Sequence, residues 1–251
     1  MSGHSHWAGI KHKKALVDAK RGKLWSKLAK AIIVAAKAGG GDPDANLRLR
    51  YAIDDAKSIS MPKENIQRAI KRGTGELDGG NLEEVVYEGY GSNGVAVMCE
   101  VLTDNRNRTA GEIRKIFELS DGKLGSTGCV AWMFDSKGLF LVPHSAVEEE
   151  KLMEIALEAG ADDVQRADEN FEVICNPAIY RDVAKALADA GITPEGSQIT
   201  RIAQNTVDID DPDTAQKILR LIERLDDHDD VQNVSSNFNI PDAVMKAIGE
   251  G

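Results

Sequence analysis

Cysteines, aromatic residues and long apolar runs are all scarce in this 251-residue chain, and each scarcity removes a class of protein. The three cysteines, Cys99, Cys129 and Cys175, lie far apart and form no Cys-x-x-Cys pair. They supply neither a disulfide framework nor a zinc site, and read as buried, reduced thiols. Aromatics make up 5% of the residues, which weakens any mechanism built on a series of base-stacking platforms. No segment approaches the roughly 18–20 apolar residues of a membrane span. The longest runs, Ala31–Ala36 and Val95–Cys99, have the length of a helix core and a strand. The segment Met1–Trp7 has no apolar stretch and no cleavage site, which predicts a cytoplasmic protein with no membrane partner.

What is present is charge, unevenly placed. Met1–Arg72 holds 16 Lys and Arg against 6 Asp and Glu, a net of +10, whereas Gly73–Gly251 holds 15 against 35, a net of −20. The overall −10 therefore conceals a cationic head on an acidic body. Such asymmetry points the basic part toward a polyanion.

Residues 20–38 are predicted to form a helix, with Leu24, Leu28, Ile32 and Ala35 on one face. Lys20, Lys23, Lys27, Lys30 and Lys37 recur on another, with Arg21 at the helix start. Gly39-Gly-Gly ends this helix, and Asp42-Pro43 predicts the acidic cap and first residue of a second, running to about Ser58. A third opens at Pro62, packs through Ile66, Ala69 and Ile70, and ends in Lys71-Arg72 with Gly73 beyond its last turn. Ahead of these helices lies a glycine-punctuated basic arm containing Lys11, Lys13 and Lys14. Arm and stripe together, with few acids nearby, favour nucleic acid over a merely solvated face. His4, His6 and His12 lack the Cys or carboxylate partners of a metal site.

The acidic body reads as strands and helices. A strand at Val95–Leu102, a helix at Thr109–Leu119 and a strand at Cys129–Phe134 come first. Residues 138–202 then follow a β-α-β-β-α-β order, a ferredoxin-like unit. A strand at Thr206–Ile209, a helix at Asp213–Leu225 and a strand at Val231–Ser236 complete a second such unit, split by the first. The expected fold class is α+β: a three-helix N-terminal domain over residues 1–80 and two ferredoxin-like α/β domains. One is discontinuous, over 81–136 plus 204–251, and the other is inserted in it over 137–203.

Several motifs tempt. Gly89-Tyr-Gly-Ser-Asn-Gly94 fits Gly-x-Gly-x-x-Gly, but a strand follows where a dinucleotide site needs a helix. Arg106 and Arg108 sit beside a helix start that a Thr109/Glu112 capping box predicts. They either receive an anion or pair with local acids. Asp226-Asp-His-Asp-Asp230 crowds four carboxylates at a helix C-terminus, where negative charge opposes the dipole, yet it lacks the glycine and spacing of a calcium loop. No Gly-x-Ser-x-Gly, His-Glu-x-x-His or P-loop occurs, so neither catalysis, a cofactor nor a metal is expected.

Long ungapped motifs then carry a resemblance: Gly3-His-Ser-His-Trp-Ala-Gly-Ile-Lys-His-Lys-Lys14, Asp18-Ala-Lys-Arg-Gly-Lys23, Gly39-Gly-Gly-Asp-Pro-Asp-Ala-Asn46, Thr103-Asp-Asn-Arg-Asn-Arg-Thr109 and Leu225-Asp-Asp-His-Asp-Asp-Val-Gln-Asn-Val-Ser-Ser-Asn-Phe238. The chain resembles the YebC/PmpR family over essentially its whole length. Ser235 and Trp132 stand where the family usually has tyrosine, and Gln204 where proline is common. The resemblance implies a helical N-terminal domain, two α/β domains, nucleic-acid binding and no catalysis. It leads to a DNA-binding transcriptional regulator, with a ribosome-associated translation factor binding ribosomal RNA as the alternative. Oligomeric state and target sequence are left open.

Overall fold

In the computed structural model, which describes residues 21–78, 80–167 and 170–249, three helices precede two sheets. Helix α1 (Arg21–Gly39) sets Ile32, Ile33 and Ala36 against Leu49 and Ile53 of α2 (Leu47–Ser58) and Ile66 and Ile70 of α3 (Lys63–Gly73), forming the core of the head. Two boundaries differ from expectation. Asp42-Pro43 forms a turn rather than the start of α2, and Asn46 is the cap. The Asn46 amide does two jobs: its oxygen accepts from Leu49 N at 3.1 Å, and its nitrogen donates to Ala35 O and Gly40 O, closing the end of α1. Gly73 lies inside the last turn of α3. A Cβ there would sit 2.4 Å from Ile33 O, so glycine is required for the close approach of α3 to α1.

The body holds two four-stranded antiparallel sheets. The first has the order β3-β1-β2-β9, from β1 (Glu83–Tyr90), β2 (Ala96–Thr103), β3 (Lys123–Leu124) and β9 (Val231–Ser236). Helices α4 (Arg106–Glu118) and α7 (Pro212–Asp226) pack on one face, burying Val97, Cys99, Phe117 and Leu221. Between β3 and α7 the chain builds the second sheet, from β4 (Phe134–Pro143), β5 (Asp163–Arg166), β6 (Asn170–Cys175) and β7 (Gly196–Ala203). Its order, β5-β6-β4-β7, with α5 (Glu149–Glu158) and α6 (Tyr180–Asp189) over one face, is the ferredoxin-like arrangement.

The first sheet is assembled differently from the expectation. Cys129–Phe134 is not one of its strands. The buried Glu88 carboxylate accepts from Gly128 N, Val130 N and Ala131 N at 2.6–2.8 Å, which folds this stretch into a loop and a 3₁₀ turn. Those N–H groups are spent, and no ladder can form; Phe134 begins β4 instead. The unforeseen strand is β1, paired with β2 from Glu83↔Thr103 to Tyr90↔Ala96. Two leading glutamates and an internal glycine obscured its alternation. Thr206–Ile209 supplies only β8 (Val207–Asp208), parallel to β10 (Phe238–Asn239) outside the main sheet, and α8 (Asp242–Gly249) follows. The first sheet is thus a permuted version of the second, its inner strand arriving before the β-α-β unit rather than after it.

The Gly-rich segment runs into β2 as its context required, with Asn93 and Gly94 at φ 57° and 72°. Arg48 of α2 makes a bidentate pair with Glu84 of β1 at 2.7 and 2.8 Å, and Tyr51 meets Tyr180 of α6 edge-on at 5.6 Å. The head therefore touches both sheet units.

Candidate nucleic-acid interface

The central part of the α1 lysine stripe, Lys23, Lys27 and Lys30, does not face open solvent. It lies along the acidic turn that follows α7. Lys23 Nζ pairs with Asp229 at 3.3 Å, the buried Lys27 donates to the Asp226 carbonyl, and Lys30 reaches Asp230 Oδ1 at 2.5 Å and Asp229 O at 3.1 Å. An acidic segment at a helix C-terminus opposes the macrodipole, and cations relieve both. Here the cations come from 200 residues away in the chain.

Asp230 is the centre of this clamp, its side chain 5% exposed. Oδ2 accepts from Arg108 at 2.7 Å, Thr109 Oγ1 at 2.8 Å and Thr103 Oγ1 at 3.2 Å, while Lys30 holds Oδ1. Burial alone works against this charge. Donation by Lys30, Thr109 and Arg108 outweighs it and holds the carboxyl well below the usual carboxylate range. A cavity of about 560 Å³ opens beside the clamp, between α1 and the first sheet.

Around it, α4 begins at Arg106, not at Thr109. Asn105 caps it, accepting from Arg108 N at 3.1 Å, and this frees the Thr109 hydroxyl to reach inward to Asp230. Arg108 therefore pairs with acids, Asp104 at 3.0 Å and Asp230, rather than standing free for an anion. Glu112, His228 and Asp230 place ligand-type atoms within 4.8 Å of one another. Both His228 ring nitrogens are already engaged: Nε2 bonds Glu112 at 2.9 Å, and Nδ1 accepts from Asp230 N at 3.1 Å. Two cations on Asp230 further disfavour a third.

Of the other anticipated residues, Lys11, Lys13, Lys14 and Lys20 lie outside the described residues, and Arg21 is placed only by its backbone in the first turn of α1. Lys37 is exposed and donates to Asn81 at 2.9 Å. Arg106 is exposed, and its carbonyl accepts from Tyr87 Oη. Helix α3, expected for its packing and its Lys71-Arg72 end, was not among the expected binding elements. Its outer face presents Lys63, Arg68, Lys71 and Arg72, all exposed and without an ion-pair partner among the described residues. The i, i+4 spacing of Arg68 and Arg72 and the concentration of charge in the last turn were the available signals.

The family can now be assigned. Residues 5–76 match the TACO1/YebC protein N-terminal domain, and residues 82–238 match the TACO1/YebC second and third domain. The chain belongs to the TACO1/YebC family. A probable transcriptional regulatory protein of Rhodopirellula baltica is 58% identical over 242 residues, spanning 96% of this chain and 98% of that protein. A probable transcriptional regulatory protein of Geobacter sulfurreducens is 54% identical over 248 residues, spanning 99% of this chain and 100% of that protein. The crystal structure of a conserved hypothetical protein from Aquifex aeolicus matches with a TM-score of 0.85 and 51% identity, covering 95% of this chain and 98% of that one. A helical N-terminal region joined to antiparallel sheets is thus the architecture of this TACO1/YebC chain. Among its described residues no helix is long and apolar enough to cross a membrane.

Proposed function

We propose that this TACO1/YebC protein is a non-enzymatic, nucleic-acid-binding regulator that grips phosphate with its N-terminal head. The observation that carries this reading is the outer face of α3. Four exposed cations stand there against one carboxylate, Glu64, while Lys23, Lys27 and Lys30 of α1 are satisfied internally. Open cations on a rigid helix, beside a body of net charge −20, favour a polyanion touched at one end. The relatives are named probable transcriptional regulatory proteins, which supports transcription as the process, and DNA is the polyanion we propose for it.

A ribosome-associated role in translation is the second reading. Phosphate contacts position a protein without specifying sequence, and the acidic sheet units suit contacts with protein more than a wrap of duplex. Binding to a promoter-length duplex and to purified ribosomes at one near-physiological salt concentration separates the two. Cosedimentation with ribosomes, coupled to sequence-blind and salt-labile DNA binding, overturns the transcriptional reading. A strong preference for one promoter over scrambled duplex overturns the other.

A further inference from the structure

Between α1 and α3 runs a groove of about 260 Å³, separate from the clamp and on another side of α1. Trp25, Ser26, Asn65, Arg68 and Arg72 line it, with Met61 in the floor. Trp25 is held in place by its indole N–H, which donates to Ile59 O at 3.4 Å, and by packing against the head core. The ring is only half-buried and borders the groove. Arg68 and Arg72 stand one helical turn apart, a spacing at which like charges repel. Among the described residues neither arginine has a carboxylate within ion-pair distance, Glu64 one turn before Arg68 included. An anion from outside the chain would relieve the repulsion.

The groove combines a planar aromatic surface, two guanidinium forks suited to phosphate oxygens, and the amide and hydroxyl of Asn65 and Ser26. That set matches one nucleotide: a base against the ring and its phosphate on the arginines. Its volume falls just short of the roughly 300–1,000 Å³ of small-molecule sites, which suits one ring system rather than an extended ligand. A base can reach an aromatic face only when it is free of its own stack and pair. Resting on the reading that the head binds nucleic acid, we infer that the α1–α3 groove is a subsite for an unpaired nucleotide, giving the head a preference for single strands over duplex.

Fluorescein-labelled U12, dT12 and a 12-base-pair duplex, titrated into the full chain and followed by anisotropy, test this. The intact protein is expected to bind one or both single strands more tightly than the duplex, and the U12 and dT12 arms tell RNA from DNA. Arg68→Gln with Arg72→Gln, both on the surface, should weaken single-strand binding at least tenfold. The double variant should also lower the log–log salt slope by about 0.7, the value of one phosphate contact on a single strand. Trp25→Phe, which keeps a ring in the core, should weaken binding severalfold, leave the slope unchanged and abolish most of the tryptophan quenching on binding. Single-strand binding that none of these variants alters, or a preference for duplex, overturns the subsite and leaves the head as a nucleic-acid binder. Failure of the intact chain to bind any of the three probes overturns the broader reading itself.

Discussion

Helices α1 and α3 of the head both carry basic faces, and the protein uses them in opposite ways. Lys23, Lys27 and Lys30 of α1 are folded onto the acidic turn after α7, where they face the carboxylates of Asp229, Asp226 and Asp230 and a helix C-terminus. The α3 cations have no such counterpart among the described residues. Charge on a helix face therefore says little by itself. Whether another part of the same chain supplies the opposite charge decides whether the face is structural or available.

The largest test of this contrast is Asp230→Ala. It removes the acceptor shared by Lys30, Arg108 and two buried threonines, leaving Arg108 with Asp104 and Lys30 with the Asp229 carbonyl, so a loss of about 1–3 kcal/mol is expected in denaturant unfolding. An unfolding curve that overlays the wild type would show that the clamp is not structural. Crossed substitutions come next. Lys63→Gln with Lys71→Gln should leave stability within about 0.5 kcal/mol of the wild type but flatten the salt dependence of nucleic-acid binding. Lys27→Gln with Lys30→Gln should do the reverse, lowering the melting temperature with little change in salt slope. If the α1 pair flattens the slope instead, the clamp opens on binding and the two faces act together.

Acidity gives a further handle. The Asp230 carboxyl is depressed in the folded state, so its stabilisation is present above the ordinary carboxylate range, near pH 4, and fades as pH falls through it. Glu172 in β6 has the opposite sign. Fully buried with neither oxygen hydrogen-bonded, it is pushed up to about 8 by desolvation. Stability should therefore decline as pH rises from the ordinary glutamate range toward 8, and Glu172→Gln should remove that decline. The smallest effect belongs to Lys23→Gln. Its partner Asp229 is exposed, and such a pair is worth at most about 1 kcal/mol in thermal melts.

Much of the architecture was legible because it rests on local pattern. The helix periodicity of α1 and α3, the β-α-β-β-α-β order of residues 138–202, and the strand after the Gly-rich turn all declare themselves within a dozen residues. Strand β1 and the loop around Cys129 did not, because both depend on Glu88, a charge in mid-strand that makes sense only once three N–H groups some forty residues on close over it. The internal pairing of the α1 stripe was hidden for the same reason. Its partners are separated from it by 200 positions, and no window of sequence contains both. Asp226–Asp230 looked anomalous because its counter-charges were out of view.

Gly73 acts as a gauge for the head. With no side chain, it lets α3 rest directly on the Ile33 carbonyl and the Ala36 methyl, and so fixes how far apart the two helices stand. The next residue back is Arg72, on the wall of the groove that Trp25 also lines. One added methyl at position 73 would act as a shim, prising the helices apart and changing the width of that groove without touching any residue in it.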